Sequence, residues 1–560
     1  MKDIANQPAS NQPARLLQWF FCAWVLCLAF YNFSENTADP DLWGHTLFGQ
    51  EMIANKKLDR TEPYAWTANG GPWINHEVLA EVALGASHLA LGGTGLWLLT
   101  VITGLATFGI ALRLGLQNLT GSSRALAWAV AALAVVEIAF GFAARPQIFT
   151  ALFLAVLIWL LRKIHDGKIA LAITLPVLFF LWINTHGGAL AGIGLLFGAA
   201  GASTLQFLWC KKSSGAKNVS SSRPSTLGPR LLILLWIAFA LSFAALLANP
   251  WGAELVVWLK ESVSWYRPEI QEWNPPQLGW DHGPMFILVA LTAIALLFSR
   301  RKKMLWEVGF CVVLAVIALR SVRHTPLFSI AALAIIPPHL ADVLFRFREH
   351  FARLHELFSR TSVQKFASII LAIACAATLY ASVKIRKEHP FTMEIPRNQY
   401  PVAAVNFIRE HEIKGNMLAF FDWGEMVLWE LPDCSPSIDG RLDTCYPRKV
   451  ISAHWDFYRG GKVDFDALDI SRADLALLPG FLIGAQELAK APGWTVVYRD
   501  AKVGDDTGND EDIWAAVILV RDLSRFPKLA GKQLPVISDA AATRGREPFP
   551  KINRRLAAQR

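Results

Sequence analysis

The stretch that decides the fold is LLQWFFCAWVLCLAFYNFSENTADPDLWGH, residues 16–45. Its first part, residues 16–33, is apolar and long enough to cross a membrane as a helix. Its last part places Asp39, Asp41 and His45 within twelve residues of that apolar run. Because charge beside a membrane is costly unless it is solvated or used, this cluster predicts a site. The simpler interpretation is that the two aspartates only end a helix and face water.

The rest of the chain has the composition of a membrane protein. Of its 560 residues, 53% are hydrophobic and 18% are charged, whereas a soluble protein carries roughly a quarter charged residues. The apolar residues form runs that predict about eleven membrane-spanning helices. These runs are residues 16–33, 95–113, 124–143, 147–161, 169–185, 188–210, 231–249, 283–299, 304–320, 324–342 and 366–383.

The basic residues predict the orientation of these spans. Four loops rich in Lys and Arg, residues 162–168, 211–230, 300–303 and 346–365, fall on one side if the spans alternate. The N-terminus is then cytoplasmic and the C-terminus extracytoplasmic. This topology requires the apolar residues 78–93 to lie along the outer interface without crossing. The net charge of +9 is scattered between spans, so it does not predict a nucleic-acid partner.

The outer side receives the long connecting segments. We expect a transmembrane domain over residues 1–383, with a long first outer loop at 34–94. Strand-like and helix-like stretches then alternate, which predicts an extracytoplasmic α/β domain over 384–524. Residues 525–560 are rich in Arg, Lys, Pro and Ala and predict a disordered basic tail. The predicted fold is therefore mainly α, a polytopic helical membrane bundle followed by this α/β domain.

Two cysteines fall in the predicted outer domain. Cys434 and Cys445 are eleven positions apart. An oxidising compartment would permit a disulfide between them, and two free thiols are the equal alternative.

Further polar side chains collect where the spans emerge on the outer side. They are His76, Glu77, Arg145, Asn184, His186, Glu272, Arg320, Arg323 and His324. Each type has a simpler interpretation: the arginines as snorkelling side chains, Asn184 and His186 as a helix break satisfied within the bundle, and Glu272 as a solvated carboxylate. Together, carboxylates, imidazoles and guanidinium groups at one membrane face predict a place that holds a lipid-borne phosphate and activates a hydroxyl.

Six short motifs extend this pattern along the chain. They are Asp39-Pro-Asp41-Leu-Trp-Gly-His45, Pro72-Trp73-Ile-Asn-His76-Glu77, Ala144-Arg145-Pro146, Trp182-Ile-Asn184-Thr-His186-Gly-Gly, Asn249-Pro-Trp-Gly and Ser437-Ile-Asp439-Gly-Arg441. In layout and motifs the chain resembles the GT-C superfamily of membrane glycosyltransferases. These enzymes use polyprenyl-phosphate-linked sugars and include protein O-mannosyltransferases, oligosaccharyltransferases and aminoarabinose transferases.

The resemblance implies specific roles for these residues. Asp39 or Asp41 would be the catalytic base or would position the acceptor, and Arg323 and Arg145, assisted by His324, would hold the donor phosphate. Some members hold a divalent cation and others need none. Here Mg or Mn would take oxygen ligands from Asp39, Asp41 and either Glu77 or Glu272. His45, His76, Asn184 and His186 are further site candidates.

The resemblance also implies the partners and the location. The enzyme would be a hexosyl- or pentosyltransferase of the cell inner (plasma) membrane, embedded in the lipid bilayer. Its donor would be a polyprenyl-phosphate sugar, and its acceptor a glycan, lipid or protein on the outer side.

Two other classes of protein remain open from the sequence. A membrane transporter would use charge inside the bilayer, for which Glu137 is the clearest acidic candidate, but the chain has no inverted repeat. A non-catalytic assembly or binding protein of envelope biogenesis would tolerate the loss of Asp39 and Asp41.

Overall fold

The computed structural model describes residues 12–121, 123–213, 228–265, 267, 269–279, 281–350, 352–385, 388–501 and 515–559. Within these residues the helices are α1 (Gln12–Phe33), α2 (Leu42–Asn55), α3 (Val78–Leu91), α4 (Gly93–Gly115), α5 (Ser123–Phe140), α6 (Gln147–His165), α7 (Thr174–Ile183), α8 (Ala189–Ser213), α9 (Pro229–Ala245), α10 (Ala253–Ser264), α11 (Gly283–Phe298), α12 (Leu305–Arg320), α13 (Thr325–Ile335), α14 (Pro337–Arg346), α15 (Ala352–Ser359), α16 (Thr361–Tyr380), α17 (Val402–Glu410), α18 (Gly424–Glu430), α19 (Arg448–Tyr458), α20 (Ile483–Leu488) and α21 (Arg554–Ala558). The strands are β1 (Glu394–Pro396), β2 (Gly415–Ala419), β3 (Cys434–Pro436), β4 (Leu475–Pro479), β5 (Trp494–Arg499), β6 (Ala516–Arg521), β7 (Val536–Ile537) and β8 (Arg546–Pro548).

The chain divides into two compact units. The helical unit contains residues 1–35 and 100–386, and the mixed unit contains residues 36–99 and 387–560. The first outer loop therefore groups with the C-terminal region. The sequence had predicted it as part of the transmembrane domain.

Helices cover every apolar run of the helical unit. Among the described residues, α1, α4, α5, α6, α8 and α16 are long and apolar enough to cross a membrane. The segments Val322–Ile335 and Pro337–Arg346 make a seventh if they are counted as one span, which bends by 55°. Pro337 explains the bend because proline cannot continue the backbone hydrogen-bond ladder. The protein is a multi-pass membrane protein, and the predicted count of about eleven spans stays a prediction.

Helix α13 forms the core of the helical unit. Its residues from Phe328 to Ile335 are all buried, and α5, α6 and α12 pack against it. Its alanines allow the neighbouring helices to approach closely, as small residues do in membrane bundles.

The C-terminal part of the mixed unit carries a six-stranded sheet in the order β3-β2-β4-β6-β5-β7. Strand β2 runs parallel to β3 and β4, and β6 runs antiparallel to β4 and β5. Helices join the parallel strands, as parallel connections require. The expected α/β character of this region is confirmed. Cys434 and Cys445 are both buried free thiols.

Residues 525–559 differ from the disordered tail that the sequence predicts. Strand β8 pairs antiparallel with β1, and Asn553 caps α21 through Leu556 N. Phe549 is 1% exposed and packs with its ring centroid 5.2 Å from that of Trp43. Composition averages the whole segment and so misses single apolar anchors such as Phe549.

Helix α3 packs tightly on α2 within the mixed unit. A Cβ on Gly49 would lie 1.8 Å from the carbonyl oxygen of Glu81, so this crossing requires glycine. The 14 residues of α3 rise about 21 Å, less than the ~30 Å of hydrocarbon. This length supports the prediction that residues 78–93 do not cross the membrane.

A buried ion network joins the first outer loop to the region after β3. The guanidinium of Arg441 donates to Asp439 from Nε at 2.8 Å and from Nη2 at 2.6 Å, and it also pairs with Glu62. The side chain of Arg441 is 4% exposed, and those of Asp439 and Glu62 are fully buried. Among the described residues, four rings lie around this cation, those of Phe48, Tyr64, Trp73 and Tyr446. The two halves of the mixed unit thus share one desolvated charge network.

We expect Arg441→Met to destabilise the mixed unit strongly. The substitution leaves Asp439 and Glu62 buried without their cation, which costs about 3–5 kcal/mol of unfolding free energy. Lys414→Met is the matched control, because Lys414 pairs with Asp433 at 2.5 Å on the surface, where ion pairs contribute little. Thermal unfolding of the purified full-length variants measures both. Equal melting temperatures for the two variants would contradict the role given to Arg441.

Candidate functional site

In the helical unit, four side chains from three separate segments form an arginine cluster: Arg145, Glu272, Arg323 and His324. Arg145 lies in the turn between α5 and α6, and Glu272 lies in a 3-10 turn that follows α10. Arg323 and His324 lie in the 3-10 turn between α12 and α13. The sequence predicted these residues as site candidates, and the structure brings them together.

Glu272 lies between the two arginines. Arg323 Nη1 donates to Glu272 Oε1, and Arg145 Nη1 is 3.9 Å from Glu272 Oε2. The side chains of Glu272 and Arg323 are 27% and 29% exposed, so water still reaches the cluster. Two further hydrogen bonds join the turns that carry these groups: Ser321 Oγ donates to the Glu272 carbonyl at 3.0 Å, and Val322 N donates to the Asn274 carbonyl at 3.0 Å.

An indole ring forms one side of the arginine cluster. The guanidinium carbons of Arg323 and Arg267 each lie 5.4 Å from the ring centroid of Trp273, a cation–π distance. The imidazole of His324 meets the same ring edge-on at 6.3 Å. Trp273 therefore orders the cations around it.

The electrostatics of the arginine cluster favour an anion. Burial by itself raises the pKa of the Glu272 carboxyl, but the charges of Arg323 and Arg145 outweigh burial and hold that pKa below its ordinary value. Glu272 is thus ionised between the two guanidinium groups. A phosphate offers guanidinium groups the same bidentate geometry as a carboxylate, so it can share or replace Glu272 as their partner.

Asn184 and His186 belong to a structural turn between α7 and α8. Asn184 Nδ2 donates to the carbonyls of Phe180 and Ala248 at 2.8 and 2.9 Å. His186 Nδ1 accepts from Gly188 N at 3.0 Å and lies 2.8 Å from the hydroxyl of Thr150. These contacts match the simpler interpretation, a helix break satisfied within the bundle.

In the mixed unit, an acid–histidine cluster consists of His45, His76, Glu77 and Glu81. His45 comes from the first turn of α2, and Glu77 and Glu81 come from the start of α3. His45 Nδ1 lies 3.3 Å from Glu81 Oε1 and 3.8 Å from Glu77 Oε2, and His76 Nε2 lies 3.7 Å from Glu77 Oε1. Asn75 Nδ2 donates to Glu81 Oε2 at 2.5 Å and fixes that carboxylate.

The charges in this cluster favour a proton on His45, which a bound metal ion would displace. Burial would lower the pKa of the imidazole, but the hydrogen bond with Glu81 and the charges of Glu77, Glu81 and Asp41 raise it to about 9. One ligand atom from each of His45, Glu77 and Glu81 lies within 4.8 Å of the others. One imidazole nitrogen and two carboxylates suit a divalent transition metal. The sequence offered Glu272 as an alternative to Glu77 as a metal ligand, but Glu272 lies in the helical unit.

Asp39 and Asp41 lie immediately before the N-terminus of α2. Asp39 Oδ1 accepts the backbone N–H of Asp41 at 3.0 Å, which makes a tight turn around Pro40. Asp41 occupies the cap position of α2 and makes no side-chain cap hydrogen bond to the helix. A Cβ on Gly440 would lie 2.2 Å from Asp41 Oδ1 and 2.9 Å from Glu425 Oε1. Glycine at position 440 therefore leaves the space that the Asp41 carboxylate occupies.

Glu425 is the acidic neighbour that the sequence did not reveal. It lies in the first turn of α18 and is 2% exposed, and its Oε2 accepts the N–H of Gly44 at 2.9 Å. Burial, followed by the charges of Asp41 and Asp439, raises the pKa of Glu425 well above its ordinary value. Glu425 is 384 positions beyond Asp41 in the sequence, and no short motif links them. Glu81 is visible in the sequence as a carboxylate inside an apolar run. Only the fold shows that His45 and Asn75 contact it.

Comparisons with known proteins were made on the sequence and on the structure. The sequence matches no protein-family model and no curated protein. The structure is similar to the oligosaccharyltransferase AglB of Archaeoglobus fulgidus in complex with an inhibitory peptide and a dolichol-phosphate. In that match the TM-score is 0.54 and the identity 10%, over 82% of this chain and 69% of the other.

Two further solved structures were matched. The apo form of the Archaeoglobus fulgidus oligosaccharyltransferase matches with a TM-score of 0.51 and 9% identity, over 82% of this chain and 69% of the other. ArnT of Cupriavidus metallidurans bound to undecaprenyl phosphate matches with a TM-score of 0.49 and 13% identity, over 92% of this chain and 98% of the other. The chain thus has the fold of the Archaeoglobus fulgidus oligosaccharyltransferase, one of the kinds of enzyme that the sequence resembles.

Proposed function

We propose that this protein transfers a sugar from a polyprenyl-phosphate-linked donor to an acceptor on the outer side of the membrane. The observation that carries the proposal is the arginine cluster, in which Arg145 and Arg323 converge on one carboxylate beside Trp273. A partly exposed pair of guanidinium groups at helix ends suits a lipid-borne phosphate. The GT-C fold supports the reaction class, since AglB and ArnT were solved with a dolichol-phosphate and with undecaprenyl phosphate.

In this proposal the arginine cluster binds the leaving group. Arg323 and Arg145 hold the donor phosphate, and His324 lies beside them. As the glycosidic bond breaks, negative charge grows on the phosphate oxygens, and fixed cations stabilise that charge without reorganising. Glu272 keeps the two guanidinium groups in place until the phosphate arrives.

Asp39 or Asp41 acts as the general base on the acceptor hydroxyl. The acceptor oxygen attacks the anomeric carbon, the carboxylate takes the hydroxyl proton, and the polyprenyl phosphate leaves. Such a displacement inverts the anomeric centre. Asp41 is the stronger candidate of the two, because the Asp39 carboxylate already accepts the backbone N–H of Asp41.

A divalent cation fits the acid–histidine cluster. His45, Glu77 and Glu81 would hold it, and a cation there would add positive charge for donor or acceptor oxygens. The imidazole favours Mn over Mg, because Mg prefers oxygen ligands. Of the two acids predicted as metal ligands, Asp41 acts on this cluster through the charge it exerts on His45.

The proposal is tested by reconstitution and by loss of function. Purified full-length protein in liposomes is supplied with radiolabelled polyprenyl-phosphate sugars, with and without chelator, and transfer is measured. Lipid and glycan analysis of cells lacking the protein then identifies the glycoconjugate that disappears, including whether a hexose or a pentose is lost. Unchanged glycoconjugates together with no transfer from any lipid-linked donor would reject the proposal.

The proposed location is the inner (plasma) membrane, with a cytoplasmic N-terminus and an extracytoplasmic C-terminal region. Four basic loops and the short helix α3 support this topology. We expect reporter fusions placed after residues 220, 302 and 355 to report the cytoplasm, and a fusion at the C-terminus to report the outside. A cytoplasmic signal from the C-terminal fusion would refute the topology.

A further inference from the structure

A buried carboxylate of the helical unit lies outside both clusters. Glu137, in the last turn of α5, is 1% exposed. Its Oε1 accepts the backbone N–H of Met285, in the first turn of α11, at 3.1 Å. Its Oε2 lies 3.5 Å from Nδ1 of His282, the residue that caps α11.

A third segment reaches the same carboxylate. Thr325, the first residue of α13, is fully buried, and its hydroxyl lies beside Glu137. Thr325 Oγ1, His282 Nδ1 and Glu137 Oε2 are all buried, and none of them forms a hydrogen bond in the described structure. The backbone N–H of Met285, the neighbouring imidazole of His282 and the N-terminus of α11 explain how a buried carboxylate is accommodated at Glu137.

The three segments that meet at Glu137 are those that carry the arginine cluster. Arg145 follows Glu137 by eight residues, His282 follows Glu272 by ten, and Thr325 follows Arg323 by two. The hydrogen bonds of Ser321 and Val322 to the segment of Glu272 join two of these segments again. These contacts link the surroundings of Glu137 to the segments that carry the guanidinium groups.

We propose that Glu137 is a positioning residue that sets the spacing of Arg145, Glu272 and Arg323 for binding the phosphate of a lipid-linked donor. This inference rests on the proposed function. Glu137 is the intramembrane acid that would suit a transporter. The inference gives it a different role, the alignment of three helix ends. Misplacement of binding groups by about 1 Å is enough to weaken function severely.

The test measures binding of undecaprenyl phosphate to full-length protein in nanodiscs. We expect Glu137→Ala to weaken binding by about tenfold or more, since three segments lose their common partner. Glu137→Gln should weaken it less, because the amide oxygen still accepts from Met285 N–H. Thr325→Val removes one hydroxyl with little change in shape, so it should weaken binding only a few-fold while the protein folds.

Glu307→Gln is the matched control. Glu307 forms a partly buried ion pair with Arg162 Nη2 at 2.6 Å, joining α12 to α6 at the ends away from the arginine cluster. It should lower thermal stability and leave binding of the probe unchanged. Equal weakening by Glu307→Gln and Glu137→Ala would overturn the positioning role, because the effect would then be general destabilisation.

Arg323→Ala separates this inference from the proposed function. If Arg323→Ala loses binding and Glu137→Ala keeps it, the positioning role is wrong and the proposed function stands. If Arg323→Ala binds the probe as the wild type does, the phosphate site itself is refuted.

Discussion

Replacing Asp41 with Asn should abolish nearly all sugar transfer while leaving expression and folding intact. Asn has almost the shape of Asp but cannot accept a proton at neutral pH, and a general base contributes about 10²- to 10⁴-fold to the rate. Asp39→Asn should lower the rate less, because an amide oxygen can still accept the N–H of Asp41. The measurement is kcat with a lipid-linked donor in the reconstituted assay.

Asp59→Asn is the control for this prediction. Asp59 lies in the same outer loop and pairs with Lys57 at 2.6 Å on the surface, so it should transfer sugar at the wild-type rate. Wild-type turnover in Asp39→Asn, Asp41→Asn and the double variant would remove both aspartates from the chemistry. A binding or assembly protein would then be the better hypothesis.

Replacing Arg323 with Ala should weaken donor binding by about 10- to 100-fold, the range expected when charge-assisted hydrogen bonds to a phosphate are lost. Arg323→Lys keeps the charge but not the two-pronged geometry, so its loss should be intermediate. Glu272→Gln should act in the opposite direction, because it removes the carboxylate that competes with the phosphate for both guanidinium groups. The donor KM and direct binding of undecaprenyl phosphate measure these changes.

Arg320→Ala controls for the loss of a positive charge on the same segment. Arg320 ends α12 and is exposed, and it is not part of the arginine cluster. It should bind the donor as the wild type does. If Arg320→Ala and Arg323→Ala weaken binding equally, the general positive field and not the cluster geometry attracts the donor.

The proposed function divides the chemistry of glycosyl transfer between two sets of residues. It assigns the donor phosphate to the arginine cluster of the helical unit, and the acceptor hydroxyl to a carboxylate of the mixed unit. Leaving-group stabilisation and base catalysis are both needed for glycosyl transfer, and each unit supplies residues for one of them. The variants of Asp41 and Arg323 should therefore differ: the first should lower kcat with little change in the donor KM, and the second should raise the donor KM as well as lower kcat.

The sequence determined the features that depend on local composition. Apolar runs long enough for membrane helices predicted the helical unit, because hydrocarbon requires internally hydrogen-bonded segments. The alternating patterns around Met417 and Leu475 predicted strands of the C-terminal sheet, where β2 and β4 lie. The rule that cations seldom lie on the outer side marked Arg323, which the structure places in the arginine cluster.

Only the tertiary structure decided which distant residues meet. Glu425 reaches Asp41, Arg441 reaches Glu62, and Glu137 reaches the start of α11, each across more than 140 positions. No short pattern encodes such pairs, since the fold and not the spacing brings them together. The same reason explains the error at residues 525–559: a polar composition predicts disorder, yet Phe549 and the cap of α21 anchor the segment. Burial depends on how the whole chain packs. The tertiary structure therefore decides which charged residues come together in a site.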